Sequence, residues 1–339
     1  MPRHLLTIAV ILTGATGCDN VAWGGVEWRL VAPATTEGDS LTEEPEAVAA
    51  DPGTRSYGPL LLAGARDGAR ATLAVVGEIQ GDGLLAVGTA PEEVERVARL
   101  TAPGSQWILF ADGVRIGRLT VDVAGRSADY CPARSTVSGL VELVPTAASA
   151  ERLLALSAGQ GGPRPYDPFR PMADVYDQRV ATLSWAGEAI PRYQASWPAE
   201  GLVAARQDIR IFQPVGGSGP AVATTFMYRD RLAVAAPPAR GSYALFILGA
   251  RAGEEYREDF AWYRPADTEG KGAPRFFDHL DWDGDGDTEV LLEVLGSQRR
   301  WFAALGSRGG VPKLSPGPSR RARSARSSRR GPLVSARGR

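Results

Sequence analysis

Histidine is almost missing from these 339 residues, and its scarcity excludes several kinds of catalytic site. Only His4 and His279 occur. A His-rich zinc site needs more imidazoles than this, and a Ser-His-Asp arrangement can form only around His279 once His4 leaves with an N-terminal leader. GxSxG, GxxxxGK[ST] and a GxGxxG after a strand are also missing, so the usual acyl-transfer, nucleotide and dinucleotide signatures are not found. No apolar run is long enough for a permanent membrane helix, which needs about 20 residues. Lysine is scarce too: of 38 basic residues only Lys271 and Lys313 are lysine, a bias expected from GC-rich codons.

The first apolar run is short but well placed. Arg3 gives a cationic start, and Leu5 to Leu12 (LLTIAVIL) is broken only by Thr7. Small residues follow, which completes the pattern of a removable secretory signal. The end of this leader, Ala15-Thr16-Gly17-Cys18, resembles the bacterial lipobox. That resemblance implies cleavage after residue 17 and lipid on Cys18, with the protein on the extracytoplasmic face of a membrane, periplasmic or surface-exposed. Asp19 after the cysteine resembles an inner-membrane retention signal of enteric bacteria, and the choice of membrane stays open. With Cys18 acylated, Cys131 would have no partner, so the fold is expected to hold without an intrachain disulfide.

Charge is divided unevenly. From Ala304 to Arg339 there are nine Arg, one Lys and no acid, so the formal charge of −1 splits into +10 for this tail and −11 for the rest. An acidic body argues against nucleic acid as a partner, because phosphate binding is driven by clustered cations. The tail lacks periodicity and has few apolar residues. Residues 304–339 are therefore expected to be disordered, either as a basic tail for anionic lipid or cell-wall polymer or as the product of a frameshift that interrupts the last strand.

The expected fold is mainly β with a few short helices: an α+β N-terminal part over 58–158 and an antiparallel β-rich part over 175–303. Residues 18–57, rich in Pro, Glu, Thr and Ala, read as a tether, and the Gly/Pro stretch 159–174 as a linker. Short strands are expected at Leu60–Leu62, Leu73–Val76, Leu84–Val87 and Leu140–Val144, with Gly81-Asp82-Gly83 as a turn. A helix begins at Pro91 with Thr89 as its cap, Val94, Val97 and Ala98 on one face, and i,i+4 pairs Glu92–Arg96 and Glu95–Arg99. Residues Trp107 to Val123 form the clearest hairpin, turning at Asp112-Gly113 with a bulge near Gly117-Arg118. Thr146–Ser157 reads as a short helix. Beyond Val175 the segments VATLSW, IRIF, AVATTFMYRDRLAVA, SYALFIL, DFAWY, EVLLEVL and RRWFAAL all read as strands. Their aromatics Trp185, Phe226, Tyr228, Phe246, Trp262, Tyr263, Trp301 and Phe302 either line a groove or, as half-buried sheets usually require, fill the core.

One segment carries recognisable chemistry. In Asp281-Trp282-Asp283-Gly284-Asp285-Gly286-Asp287-Thr288-Glu289, acids stand at positions 1, 3, 5 and 9 and a Gly at position 6, a set of hard oxygens around a bend that suits calcium. A twelve-residue EF-hand needs a bidentate Glu at its last position, where Leu292 stands. The DxDxDGxxE run leading straight into a strand instead resembles the calcium loop of FG-GAP and integrin-type repeats. By that resemblance Asp281, Asp283, Asp285 and Glu289 donate side chains and Asp287 its carbonyl oxygen to Ca2+, and the site is structural. The loop occurs once, so no propeller is implied.

These features point first to a membrane-tethered, non-enzymatic β-protein of the cell envelope, with a binding or structural role toward an envelope ligand. The alternatives are a carboxylate-dependent hydrolase of glycosidase type, using Asp259, Glu269 or Asp278, and a peptidase-like use of His279 with Asp278.

Overall fold

The computed structural model describes residues 57–80, 83–158, 168–215, 217, 219–236, 238–308 and 311–315. The leader and Cys18, nearly all of the tether, residues 159–167 of the linker and the tail beyond 315 lie outside these residues. Among the described residues fifteen strands make three antiparallel sheets, with helices between them.

The N-terminal part is a closed barrel. Strands β1 (Leu60–Asp67), β2 (Arg70–Gln80), β4 (Gln106–Ala111), β5 (Val114–Ser127), β6 (Arg134–Leu143) and β7 (Arg152–Ser157) pair in the cycle β1-β7-β4-β5-β6-β2 and back to β1, and β3 (Gly83–Leu85) adds to β2. Leu62, Leu73, Trp107, Leu109, Ile116, Leu119, Val137 and Leu153 fill the interior. Alternate residues of β1, β2, β4 and β7, among them Leu61, Ala74, Phe110, Leu154 and Leu156, point outward into a second core. Four of the barrel strands are thus apolar on both faces. Their sequences consequently read as continuous runs rather than alternations, and a short continuous run is ambiguous between strand and helix. This corrects the helix expected over Thr146–Ser157. A 3₁₀ turn takes Pro145–Ala147, and Arg152–Ser157 is strand β7.

The hairpin at Asp112-Gly113 is as expected, with φ of 48° and 73° at its two turn residues. Ile116 is the extra residue of the bulge, one position before the expected site. The helix α1 (Pro91–Leu100) also forms, but Ala90 rather than Thr89 precedes it and no side chain caps it. Arg99 pairs with Glu95 at 2.8 Å, whereas Arg96 turns away from Glu92 to the buried Glu78 at 2.6 Å. Val97 is buried but Val94 and Ala98 are exposed, so the buried face is not the one expected.

A four-stranded sheet of β12 (Ala273–Leu280), β13 (Glu289–Leu295), β14 (Arg300–Arg308) and β15 (Val311–Ser315) lies against the barrel. Phe277, Leu280, Trp282, Leu291 and Phe302 pack on the barrel's outward apolar residues. Phe276, Val290, Leu292, Val294 and Trp301 face the other way, onto Phe212, Ala223, Phe246 and Leu248 of a third sheet. That sheet, β8 (Arg206–Phe212), β9 (Ala221–Tyr228), β10 (Tyr243–Ala252) and β11 (Glu255–Pro265), is covered on its far face by helix α2 (Tyr176–Arg192). Short α3 (Leu202–Ala205) and α4 (Ala266–Glu269) complete the helices.

Two further expectations are corrected. VATLSW belongs to α2, not to a strand: Gln178, Thr182, Trp185, Ala186, Ala189 and Ile190 are its buried residues and follow a helical period that outweighs the β-branched Val180 and Thr182. Gln178 also accepts the Val175 N–H and donates to the Tyr256 hydroxyl, both at 2.9 Å, tying the helix start to β11. The strand signal does not end at residue 303. Ala304 and Leu305 are 2% exposed, and β14 continues to Arg308 and pairs with β15, Leu305 opposite Leu314. Backbone pairing there needs no apolar alternation, which is why the Arg/Gly/Ser composition hid it.

Of the aromatics, Trp185, Phe226, Tyr228, Phe246, Trp301 and Phe302 are core residues, and Trp262 and Tyr263 are partly buried against the same clusters. Cys131 is buried, and the expectation that it stands without a partner turns on Cys18, which lies outside the described residues.

A test of the hairpin follows from Gly113, where a Cβ would stand 2.7 Å from Nε2 of His279 on β12. Gly113→Ala should cost about 1–3 kcal/mol in urea unfolding. Gly68→Ala, with φ of 59° and nothing within 4 Å, carries the strain without the contact and should cost less. Equal losses at the two positions would mean the turn does not abut His279.

Candidate metal centre

The acidic loop joins β12 to β13 at the side of the sheet buried against the barrel. Trp282, 4% exposed, anchors it in that core. Glycines occupy the two positions of positive φ, Gly284 at 83° and Gly286 at 96°, the second being the bend expected at position 6. Asp281 organises the turn: its Oδ1 accepts the Gly284 N–H at 2.7 Å and its Oδ2 the Gly286 N–H at 3.2 Å. Asp283 and Asp285 each accept the N–H two residues on, at 3.2 and 2.8 Å. The loop is tied to a residue outside it where Thr288 Oγ1 accepts the Val215 N–H at 2.6 Å.

These bonds aim the carboxylates at one another. Ligand-capable oxygens of Asp281, Asp283 and Asp285 lie within 4.8 Å of one another. Asp287 is exposed and its carboxylate is outside this group, which leaves it only the carbonyl role expected from the sequence. Glu289 is fully buried, and one of its oxygens, Oε2, accepts the Trp282 N–H at 2.9 Å. The other, Oε1, is buried without any hydrogen-bond partner. Burial chiefly, and then the charges of Asp283, Asp281 and Asp285, push the Glu289 carboxyl up to about 8. Burial and the neighbouring acids also raise Asp283.

A buried carboxylate oxygen without a donor is costly unless it binds a proton or a cation. The gathered donors are the three carboxylates of Asp281, Asp283 and Asp285; Glu289, expected as a fourth, lies outside that group but close enough for their charges to act on it. Oxygen donors of this kind suit a hard cation, calcium among them. Bound there, it would cancel the mutual repulsion of the acids.

A second group was not legible in the sequence. Asp112, expected only as a turn residue, meets Asp278 and His279, and the three place ligand-capable atoms within 4.8 Å. Asp112 N–H donates to Asp278 Oδ1 at 3.0 Å across 166 positions of sequence. His279 is 1% exposed. Its ring lies 4.6 Å from that of Phe212, and its Nε2 is 3.2 Å from the Gln213 carbonyl oxygen. Asp259 and Glu269 do not join this group. Asp259 is exposed on β11, and Glu269 pairs with Arg264 at 3.4 Å. A surface pocket lined by Gln207, Met227, Arg229 and Asp230 contains none of the expected ligands.

No family model matches the chain, and no curated protein or solved structure is found similar to it. Among the described residues no helix is long and apolar enough to cross a membrane.

The raised Glu289 carboxyl gives a pH dependence with a definite sign. Folded and free of calcium, it holds its proton up to about pH 8, against an ordinary value of 4.5. The stability it contributes is full below the ordinary value and is lost as pH rises through the folded one. In chelator, the melting temperature should fall as pH is raised from 4.5 to about 8, and Glu289→Gln should flatten that slope. A wild-type slope equal to that of the variant would show that Glu289 is not buried as an acid.

Proposed function

We propose that this is an exported β-protein of the bacterial cell envelope, tethered to a membrane through Cys18, with a structural calcium ion in the 281–289 loop and a non-enzymatic binding or scaffolding role. The observation that carries the calcium reading is the buried, partnerless Oε1 of Glu289 beside three gathered aspartates. The ion would fix the β12–β13 turn and with it the edge of the sheet that packs on the barrel. Export is supported by the leader pattern, a cationic Arg3, a short apolar run and small residues before Cys18.

Calcium should raise the melting temperature of the full chain, by about 2.7 kcal/mol of added stability at a hundredfold excess over Kd. Asp283→Ala should abolish the increment. An unchanged wild-type melting curve with and without chelator overturns the calcium site.

The tether is tested separately by mass spectrometry. The chain has only two cysteines, so Cys18 cannot carry lipid on its sulfur while forming a bond to Cys131. The expected result is an acylated Cys18 at the mature N-terminus. A Cys18–Cys131 peptide recovered without reduction rules out the lipid anchor.

A further inference from the structure

We infer that Asp112, Asp278 and His279 form a second cation site, for a first-row transition ion of the zinc type, clamping the barrel to the adjacent sheet. Nothing in this inference depends on the calcium loop. It starts from the imidazole, whose two nitrogens have different surroundings. Nε2 lies 3.2 Å from the Gln213 carbonyl, which can only accept, so Nε2 carries the hydrogen. In the neutral ring Nδ1 is then a bare lone pair. That nitrogen is buried and has no hydrogen-bond partner. It faces another acceptor, Asp278 Oδ1, at 3.5 Å. A buried lone pair facing a carboxylate calls for a positive charge between them.

The carboxylates are arranged to supply the rest of a coordination shell. Asp278 is held rigid, its Oδ1 accepting the N–H groups of Asp112 and His279 at 3.0 and 2.8 Å, while Oδ2 receives only a long bond of 3.3 Å. Oδ2 therefore keeps a lone pair to donate. Asp112 is half-buried at the hairpin tip, and its carboxylate makes no hydrogen bond among the described residues. Burial and the Asp278 charge raise it. The nearby Arg210 guanidinium is engaged by Asp208 at 3.5 Å.

One imidazole and two carboxylates suit zinc or its neighbours better than calcium, which takes oxygen alone. The carbonyl hydrogen bond that orients the opposite ring nitrogen is the usual support of a metal-bound histidine. An ion about 2.0–2.2 Å from each donor requires the ligand atoms to close in slightly from their present spacing, and the half-exposed Asp112 can move. Its binding would join β4–β5 of the barrel to β12, beside the bond from the Asp112 N–H to Asp278.

The probe is Co2+, titrated into the full chain in excess calcium and followed by its visible d–d absorption. We expect one equivalent with a nitrogen-containing shell, displaced by Zn2+, lost in His279→Gln and weakened about tenfold or more in Asp112→Asn. Asp112 lies at a half-exposed turn, so its variant keeps the test valid if His279→Gln fails to fold. Asp283→Ala should bind Co2+ unchanged. No uptake by wild type, or uptake that survives Asp112→Asn but is lost in Asp283→Ala, overturns the site, the latter by placing the ion in the acidic loop.

Discussion

The sheet β12–β15 is covered on both faces, by the barrel on one side and by β8–β11 on the other, and the rest of the architecture is organised around that double burial. A strand in such a position can hold a polar side chain only if the protein itself supplies its partner. Glu293, in the middle of β13 and 2% exposed, meets the requirement with two cations: Arg275 at 2.6 Å and Arg300 at 3.0 Å. Arg300 also fastens this sheet to the barrel, its backbone bonding to Asp129 and Cys131 at 2.9 and 2.8 Å. Glu289 and His279 lie in the same sheet under the same constraint, and each retains a buried atom, Oε1 and Nδ1, without a hydrogen-bond partner. The two candidate cation sites are thus where the internal pairing of the central sheet runs out.

How far the sequence discloses this can be read from particular residues. The Asp112-Gly113 turn, helix α1 and the acidic loop were legible because each is local: a dipeptide with positive φ, a proline start, a fixed spacing of acids. The mainly antiparallel β character was legible from the many short apolar segments. What failed had a common cause. RLLALS and VATLSW are apolar stretches of about one length, and which period they follow depends on what covers them. Double burial turned the first into a strand, while the Gln178–Ile190 stripe made the second a helix.

The meeting of Asp112 with His279 could not be read at all. Nothing near Asp112 differs from an ordinary hairpin turn, and the constraint lies in Gly113, whose missing side chain lets the turn approach the imidazole. Only the packing of barrel on sheet converts a turn residue into part of a polar cluster. The expected pairing of Glu92 with Arg96 failed for a related reason: the buried Glu78 needed a cation more than the exposed Glu92 did.

The closure of the barrel has a kinetic side. Strand β1 pairs with its neighbour β2 through a tight turn, but its other edge is satisfied only by β7, so that Leu61 meets Leu156. Until Leu156 has been synthesised and has docked, β1 presents an unpaired edge carrying the run Leu60-Leu61-Leu62-Ala63, apolar on both sides. Non-local pairings of this kind form slowly, and unpaired apolar edges recruit other chains. Chain elongation runs from β1 toward β7, so β1 emerges well before its second partner, leaving an interval in which a chaperone, or the delay itself, decides between closure and aggregation.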